Sequence, residues 1–227
     1  MAAASAVTGW ESYNWSGYVV PRLGVTSASS TWKVPAVVAS STAKYSATWV
    51  GVDGFTNGDL IQTGTSQDTV GGKTSYYAWW EILPAAETEI TTMKVAPGNN
   101  MVATVKKISS GRWEIVLADT TTGNTFSKVA GYNGPGSSAE WIEEAPTVGA
   151  GQSALADFGT VAFSGVTVNG ASVHLLITGS GTMVSATGAV LAKASAPAST
   201  GNTFSDTYVV PAAPHVIAPP PPTARRS

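Results

Sequence analysis

Short runs of alternating apolar and polar residues recur along most of the chain. They are rich in Val, Thr, Ile, Tyr and Trp, and Gly, Asn, Ser and Pro separate them, whereas helical periodicity is nearly absent. The clearest stretch is a meander of strands at 89–95, 101–108, 113–118 and 125–129, with turns at 97–100, 109–111 and 120–124. The pattern predicts an all-β protein.

Further strand candidates bring the total to roughly fourteen. They cover 12–20, 30–34, 44–52, 60–64, 74–83, 139–144, 158–166, 171–177 and two or three segments near the C-terminus. So many short strands in one chain favour two packed antiparallel sheets, a β-sandwich.

The chain is expected to form one domain with two terminal segments. Residues 10–210 show no shift in composition and no repeat of fixed period, which favours a single domain. Residues 1–9 are expected to be flexible. Residues 211–227 are rich in proline and are expected to form an extended, mobile tail, because proline cannot donate to a β-ladder.

Composition narrows the possible functions. The 227 residues carry a net charge of -2 and only 11% charged side chains, so no basic surface for nucleic acid is expected. No uninterrupted apolar stretch reaches the about 18 residues that a membrane-spanning helix needs. The absence of cysteine excludes cysteine nucleophiles, thiolate metal sites and disulfides.

The motifs of several hydrolase classes are missing. No serine lies in Gly-x-Ser-x-Gly, and the two histidines, His174 and His215, lie in an apolar run and in the Pro-rich tail. Catalytic zinc usually takes three protein ligands and His-Glu-x-x-His is absent, so no metal and no cofactor are expected. Carboxylate-bound calcium stays open, although no loop signature supports it.

A glutamine stands where an aspartic peptidase would carry aspartate. Such enzymes need two Asp-Thr/Ser-Gly loops, and this chain has instead Gln62-Thr63-Gly64. A primary amide offers an acceptor and two donors at any pH. Paired with one carboxylate, it avoids the repulsion between two like charges.

Six motifs occur in the order and spacing of a known family. They are NWSGYV at 14–19, WVGVDG at 49–54, LIQTG at 60–64, YAWWE at 77–81, AEWIE at 139–143 and ADFG at 156–159. The set resembles the glutamic peptidases, or eqolisins. The resemblance implies an acid endopeptidase built as a concanavalin A-like sandwich of two roughly seven-stranded antiparallel sheets, with Gln62 and Glu140 at the catalytic positions.

The resemblance also implies a biological setting. We expect a secreted, extracellular monomer that acts on polypeptide substrates, with no nucleic-acid or membrane partner and with its signal peptide and any propeptide outside this sequence. Two departures are visible: the disulfides usual in fungal relatives are absent, and the second acidic residue after Trp141-Ile142 comes one position early, as Glu143.

Strand alternation sorts the candidate residues by face. Glu140 and Ile142 share one face and Glu143 the other, so only one of the two glutamates can face a cleft. Glu143-Glu144 have the pattern of a solvated strand end. Gln62 shares its face with Leu60 and Gly64, although without the resemblance a half-buried glutamine bonded to its neighbours is the better interpretation.

Two further triplets could line the cleft. Tyr77, Trp79 and Glu81 share one face, and the same rule groups Trp49, Gly51 and Asp53. Trp49, Asp53, Tyr77, Trp79 and Glu81 are therefore candidates for substrate binding or for support of the dyad. The plainer alternative places the tryptophans in the sandwich core and makes Asp53-Gly54 an ordinary turn.

The expected mechanism uses Glu140 as a carboxylate that takes a proton from water, while Gln62 holds that water and donates to the oxyanion. Two alternatives remain open. One is a concanavalin A-like glycoside hydrolase or carbohydrate-binding protein with Glu81 and Glu140 as its carboxyl pair. The other is a non-catalytic binding module whose aromatic residues stack on a ligand.

Overall fold

The protein, described here by a computed structural model over residues 9–210, consists of β-strands and one short 3-10 helix at Ile177–Gly179, with no α-helix in that range. The strands are β1 Trp10–Ser12, β2 Trp15–Pro21, β3 Ser27–Lys33, β4 Ala47–Val52, β5 Ile61–Val70, β6 Lys73–Ile82, β7 Thr88–Lys94, β8 Asn100–Ser109, β9 Arg112–Asp119, β10 Asn124–Gly131, β11 Ser138–Glu144, β12 Thr147–Val148, β13 Gly151–Gln152, β14 Thr160–Val168, β15 Ala171–Ser172, β16 Ser180–Val184, β17 Val190–Ala194 and β18 Phe204–Tyr208. The all-β prediction is confirmed.

The main sheet follows one continuous path of hydrogen-bonded strands. Its order is β10-β9-β8-β3-β14-β18-β17-β16-β2-β11-β4-β5-β6-β7. Strand β1 pairs in parallel with β16, β15 pairs with β14, and β12 and β13 form a separate pair. The path folds over so that β4 and β5 pack against β8 and β9 through a shared core. The antiparallel β-sandwich expected from the sequence is confirmed.

The two layers belong to one continuous sheet, whereas the sequence predicted two packed sheets. The first half of β14, up to Phe163, pairs with β18, and from Ser164 onward the strand pairs with β3. The register shifts between Ser164 and Thr167, and Gly165 there has a φ of 62°. A bulge lets one strand bend from one sheet into the other, which connects the layers.

The main core lies between the layers. On β9, alternation turns Trp113, Ile115 and Leu117 inward, and they meet Val50 and Ile61 from the opposite layer. A second apolar cluster covers the other face of the layer that contains β2, β11, β4, β5 and β6. Because both faces are covered, β4 and β11 are buried almost throughout.

The segments expected to be flexible, 1–9 and 211–227, lie outside the described residues apart from Gly9, as does His215. Between residues 9 and 210, no helix has the length and apolar character needed to cross a membrane.

Candidate functional site

One row of paired residues brings the two proposed catalytic side chains onto the same face. Glu140 pairs with Gly51, Gly51 with Gln62, and Gln62 with Glu81. Residues paired in register project from the same face of a sheet. Glu140 and Gln62 therefore flank Gly51, with their Cα atoms roughly 10 Å apart across two strand spacings. The glycine adds no side chain between them.

Two neighbouring rows complete the outer face. Ile142, Trp49, Gly64 and Trp79 form one row, and Trp15, Glu144, Ala47, Ser66 and Tyr77 form the next. Four of the five residues predicted to bind substrate or support the dyad therefore share the face of Glu140 and Gln62. They are Trp49, Tyr77, Trp79 and Glu81.

Glu140 is a buried carboxyl without a hydrogen-bond partner. The side chain is fully buried, and neither carboxyl oxygen bonds any group within residues 9–210. Burial raises the pKa of Glu140 well above its ordinary value, against a smaller opposing effect of the Ser138 hydroxyl. The buried Glu140 carboxyl therefore favours its protonated form in acid.

Gln62 is oriented by a hydrogen bond and keeps one oxygen available. Its Nε2 donates to Oε2 of Glu81 at 2.6 Å, whereas its buried Oε1 has no partner among the described residues. Burial raises the pKa of Glu81, and the bond from Gln62 opposes that rise. Glu81 thus holds the amide nitrogen of Gln62 and leaves the amide oxygen directed away from it.

Asp53 follows the last residue of β4, so strand alternation does not determine which way its side chain projects. Strand β4 ends at Val52, and Asp53 has a φ of 70°. Its buried carboxylate accepts hydrogen bonds from the Tyr132 hydroxyl at 2.7 Å and from the backbone amides of Gly136 at 2.9 Å and Ser137 at 2.7 Å. Burial alone would raise the pKa of Asp53, but these bonds outweigh it and lower the pKa. Asp53 ties down the loop that leads into β11.

An open groove of about 380 Å³ runs over Gln62. Its walls include three carboxylic side chains and two tryptophans: Glu81, Glu87, Glu144, Trp15 and Trp79. The Tyr77 hydroxyl donates to Glu87 at 2.8 Å beside this groove. The indole Nε1 of Trp79 is buried and has no partner within the described part of the chain, so it can donate to a bound ligand.

The prediction of a solvated end at Glu143-Glu144 is wrong. Glu143 is fully buried on the core side of β11, where it accepts a bond from Thr48 at 2.6 Å. Glu144 lines the groove instead. Glu144 follows Glu140 by four residues, so the same alternation could have found it. Glu87 lies between strands, where no periodic signal exists.

Residues 9–210 contain no group of three or more His, Asp or Glu side chains arranged to hold a metal ion. Residues 13–207 match the Peptidase A4 family. The chain belongs to the Peptidase A4 family. The resemblance to glutamic peptidases drawn from the sequence motifs is confirmed.

Relatives of this Peptidase A4 chain agree with the assignment. Aspergillopepsin-2 of Aspergillus niger is 30% identical over 177 residues, which cover 67% of this chain and 63% of that protein. The chain thus spans less than two thirds of that relative's length. Every candidate residue from Trp49 to Glu140 lies inside the family match.

Solved structures share the fold of this Peptidase A4 chain. Scytalido-glutamic peptidase, solved with a transition state analog inhibitor, superposes with a TM-score of 0.76 at 22% identity, covering 87% of this chain and 98% of that one. Aspergilloglutamic peptidase from Aspergillus niger gives a TM-score of 0.57 at 27% identity, covering 73% of this chain and 99% of that one.

Proposed function

We propose that this chain is a glutamic-type endopeptidase that hydrolyses peptide bonds in acid through Glu140 and Gln62. One observation carries the proposal: a buried carboxyl and a buried amide oxygen, neither with a hydrogen-bond partner in the described residues, flank a glycine on one sheet face. Buried polar atoms normally have partners. A reacting peptide group and a water would supply them here.

Family membership and the relatives support a peptidase. The matched family is named for peptidase activity, and the two Aspergillus niger relatives that are 30% and 27% identical carry the names aspergillopepsin-2 and aspergilloglutamic peptidase. On this basis we propose polypeptides as substrates. We also propose a secreted monomer that binds neither nucleic acid nor membrane, in keeping with its low charge density.

The two side chains suffice for the proton transfers of peptide hydrolysis. As water attacks the scissile carbon, its proton passes to the Glu140 carboxylate, while a Gln62 N–H donates to the carbonyl oxygen that gains negative charge. The C–N bond then breaks as Glu140 gives the proton to the leaving nitrogen. Glu140 ends as it began, and the atoms of one water are divided between the two products.

The mechanism expected from the sequence starts from the Glu140 carboxylate, but the raised pKa of Glu140 favours a start from the protonated carboxyl. In acid the buried carboxyl begins protonated, so it first donates its proton to the carbonyl oxygen of the scissile bond. The carboxylate formed in this way then accepts the proton of the attacking water and passes it to the leaving nitrogen as the C–N bond breaks. Glu140 finally takes back the proton of the carbonyl oxygen, which regenerates the protonated carboxyl. The catalytic groups stay the same, and activity requires the protonated form at the start.

The groove can hold an extended substrate beside the dyad. Trp79 and Trp15 offer apolar walls, and Trp79 Nε1–H can donate to a peptide carbonyl. Glu81 holds Gln62 at 2.6 Å and so keeps the amide in place for the reaction. We propose Tyr77 and Trp79 as substrate-binding residues, and Trp49, Asp53 and Glu81 as supporting ones.

Single substitutions test the dyad. Glu140→Gln is expected to lower kcat on an acid-unfolded protein by about 10² to 10⁴, and Gln62→Ala by about 10² to 10³. Cleavage is followed by mass spectrometry of the products at several acidic pH values.

Glu143→Gln is the matched control, because Glu143 lies on the same strand but faces the core. This control should keep kcat within about threefold while the protein stays folded. An active Glu140→Gln enzyme would overturn the proposal.

The glycosidase alternative is less well supported. Gln62 lies between Glu81 and Glu140 in the paired row and holds Glu81 by a hydrogen bond, whereas a glycosidase needs two free carboxyl groups facing one bond. Hydrolysis of a polysaccharide that survives Gln62→Ala would favour that alternative. Absence of any cleavage by the folded wild-type protein would favour the binding module.

A further inference from the structure

Glu144 connects the end of β11 to a tryptophan of the neighbouring strand. Its Oε2 accepts a hydrogen bond from Trp49 Nε1 at 2.8 Å, and its Oε1 accepts from Asn14 Nδ2 at 3.4 Å. Glu144 projects from the same face as Glu140, four residues earlier on β11. The carboxyl is thus held between the N-terminal segment and β4.

The ring that Glu144 holds lies against the floor of the proposed dyad. A Cβ placed on Gly51 would lie 2.9 Å from Cζ3 of Trp49, so this edge of the indole covers the glycine. Gly51 is the residue paired with both Glu140 and Gln62. Trp15 packs edge-on against Trp49, with ring centroids 5.0 Å apart. A tilt of the Trp49 ring would therefore change the space between the two catalytic side chains.

The two buried tryptophans of this face differ in whether their indole N–H is hydrogen-bonded within the protein. Trp79 Nε1 has no partner in residues 9–210, whereas Trp49 Nε1 is bonded to Glu144. A buried indole N–H strongly favours an acceptor, and a carboxyl oxygen of Glu144 supplies one to Trp49. The N–H of Trp79 can therefore donate to a ligand, whereas the N–H of Trp49 already donates to Glu144.

We propose that Glu144 is a positioning residue, whose hydrogen bond fixes the indole of Trp49 over Gly51 and so sets the space in which Glu140 and Gln62 meet. This inference rests on the proposed peptidase function. Glu144 acts through Trp49 and transfers no proton itself. A side chain with an acceptor at the same place is therefore sufficient, and its charge is not required.

Two substitutions at position 144 separate the acceptor from the charge. Glu144→Leu removes the acceptor and should lower kcat by about 10- to 100-fold with KM changed by less than about threefold, because misplacement of the catalytic groups affects the chemical step. Glu144→Gln keeps a carbonyl oxygen for the indole and should restore kcat to within about threefold of wild type. Glu114→Leu, at a carboxyl that accepts a bond from Ser127 on another part of the sandwich, is the matched control.

A double substitution tests the route through Trp49. Trp49→Phe removes the N–H but keeps an aromatic ring, so adding it to Glu144→Leu should cause little further loss of kcat. Additive losses would overturn the proposal, as would equal losses in the Gln and Leu variants or full kcat in the Leu variant.

A readout independent of catalysis keeps the two proposals distinguishable. In ¹⁵N-labelled protein, the Trp49 indole N–H resonance should stay near its wild-type position in Glu144→Gln and shift in Glu144→Leu. The ring contact of Trp49 to the Gly51 Hα should persist in the first variant and be lost in the second. A wild-type protein that cleaves no peptide rejects the proposed function. A Glu144→Leu protein that keeps the Trp49–Gly51 contact rejects the positioning role.

Discussion

At the scale of single residues, the surroundings of a buried acidic side chain decide whether its pKa is raised or lowered. Glu140 is buried without a partner and its pKa is raised, whereas the hydrogen bonds that Asp53 accepts from Tyr132, Gly136 and Ser137 lower the pKa of Asp53 despite its burial. Motif spacing could single out Glu140 and Gln62. It could not show that Glu81 holds the Gln62 amide, because that bond joins two side chains on adjacent strands.

The protonation state of Glu140 predicts the pH profile. Since burial raises its pKa and the proposed reaction starts from the protonated carboxyl, kcat/KM should fall as pH rises through the raised pKa of Glu140. The profile is measured on an unfolded protein substrate, with folding checked by circular dichroism at each pH. A rate that increases with pH across this range would instead require Glu140 to start as the base.

The space above Gly51 predicts the effect of one added methyl group. In Gly51→Ala the new Cβ would lie 2.9 Å from Trp49 Cζ3 and 3.3 Å from Gln62 Cβ, so a neighbour must move. We expect kcat to fall by about 10- to 100-fold and stability by about 1–3 kcal/mol.

Gly131→Ala on β10 is the control for Gly51→Ala, because its Cβ meets nothing closer than the Gly111 carbonyl oxygen at 3.9 Å. Steady-state kinetics and urea unfolding of both variants measure the changes in kcat and in the free energy of unfolding. Equal kinetics in the two proteins would show that the space above Gly51 tolerates a methyl group.

At the scale of elements, β11 presents carboxyl groups to two different surroundings. Glu140 and Glu144 project from the same face, where Glu144 lines the groove and Glu140 is fully buried beside it, whereas Glu143 projects from the core face. In the core, Asp206 of β18 adds a second buried carboxyl that interacts with Glu143. One Glu143 oxygen and both Asp206 oxygens have no hydrogen-bond partner in residues 9–210. Alternation predicted the faces, but only packing of β18 brought the two acids together.

This core pair predicts a loss of stability toward neutral pH. Burial raises the pKa of Asp206 to about 7 and that of Glu143 well above its ordinary value, so the folded state favours both protons. Their stabilisation is complete below the unfolded pKa values near about 4 and declines as pH rises through the folded values. From 3.8 to about 7, Asp206 alone accounts for roughly 4 kcal/mol.

Urea unfolding between pH 4 and pH 8 measures this effect. Asp206→Asn should make the pH dependence of the unfolding free energy smaller, whereas Asp59→Asn at an exposed position is the control and should leave it unchanged. A wild-type unfolding free energy that stays constant over this range would contradict the assignment.

At the scale of the whole molecule, the fold separates stability from the site. One layer carries the groove on its outer face, and the main core lies on the opposite face of that layer. The layers are connected through the bulge in β14, which no local sequence pattern predicted. Core and groove therefore share strands but few side chains.

This separation predicts different effects of substitutions in the far layer. Leu117→Ala, fully buried on β9, should lower the free energy of unfolding by about 2–5 kcal/mol, because it leaves a cavity in the core. The kcat of the folded enzyme should stay within about threefold of wild type. Denaturant unfolding and activity per folded molecule are compared. A large fall in kcat without unfolding would mean that the core and the groove are coupled.

Most strands, the face of each residue within them and the family motifs that point to Glu140 and Gln62 are predictable from the chain, because alternation and spacing are local properties. The strand predicted at 171–177 is an exception, since only Ala171–Ser172 pair and a 3-10 helix follows at Ile177–Gly179. Which strands are neighbours depends on contacts between residues far apart in the chain, so the folded structure is needed to show it. Strand β11 lies beside β4 although β4 ends at Val52 and β11 begins only at Ser138. That pairing depends on the whole core, and it brings Glu140 to Gly51, Glu144 to Trp49 and Glu143 into the interior.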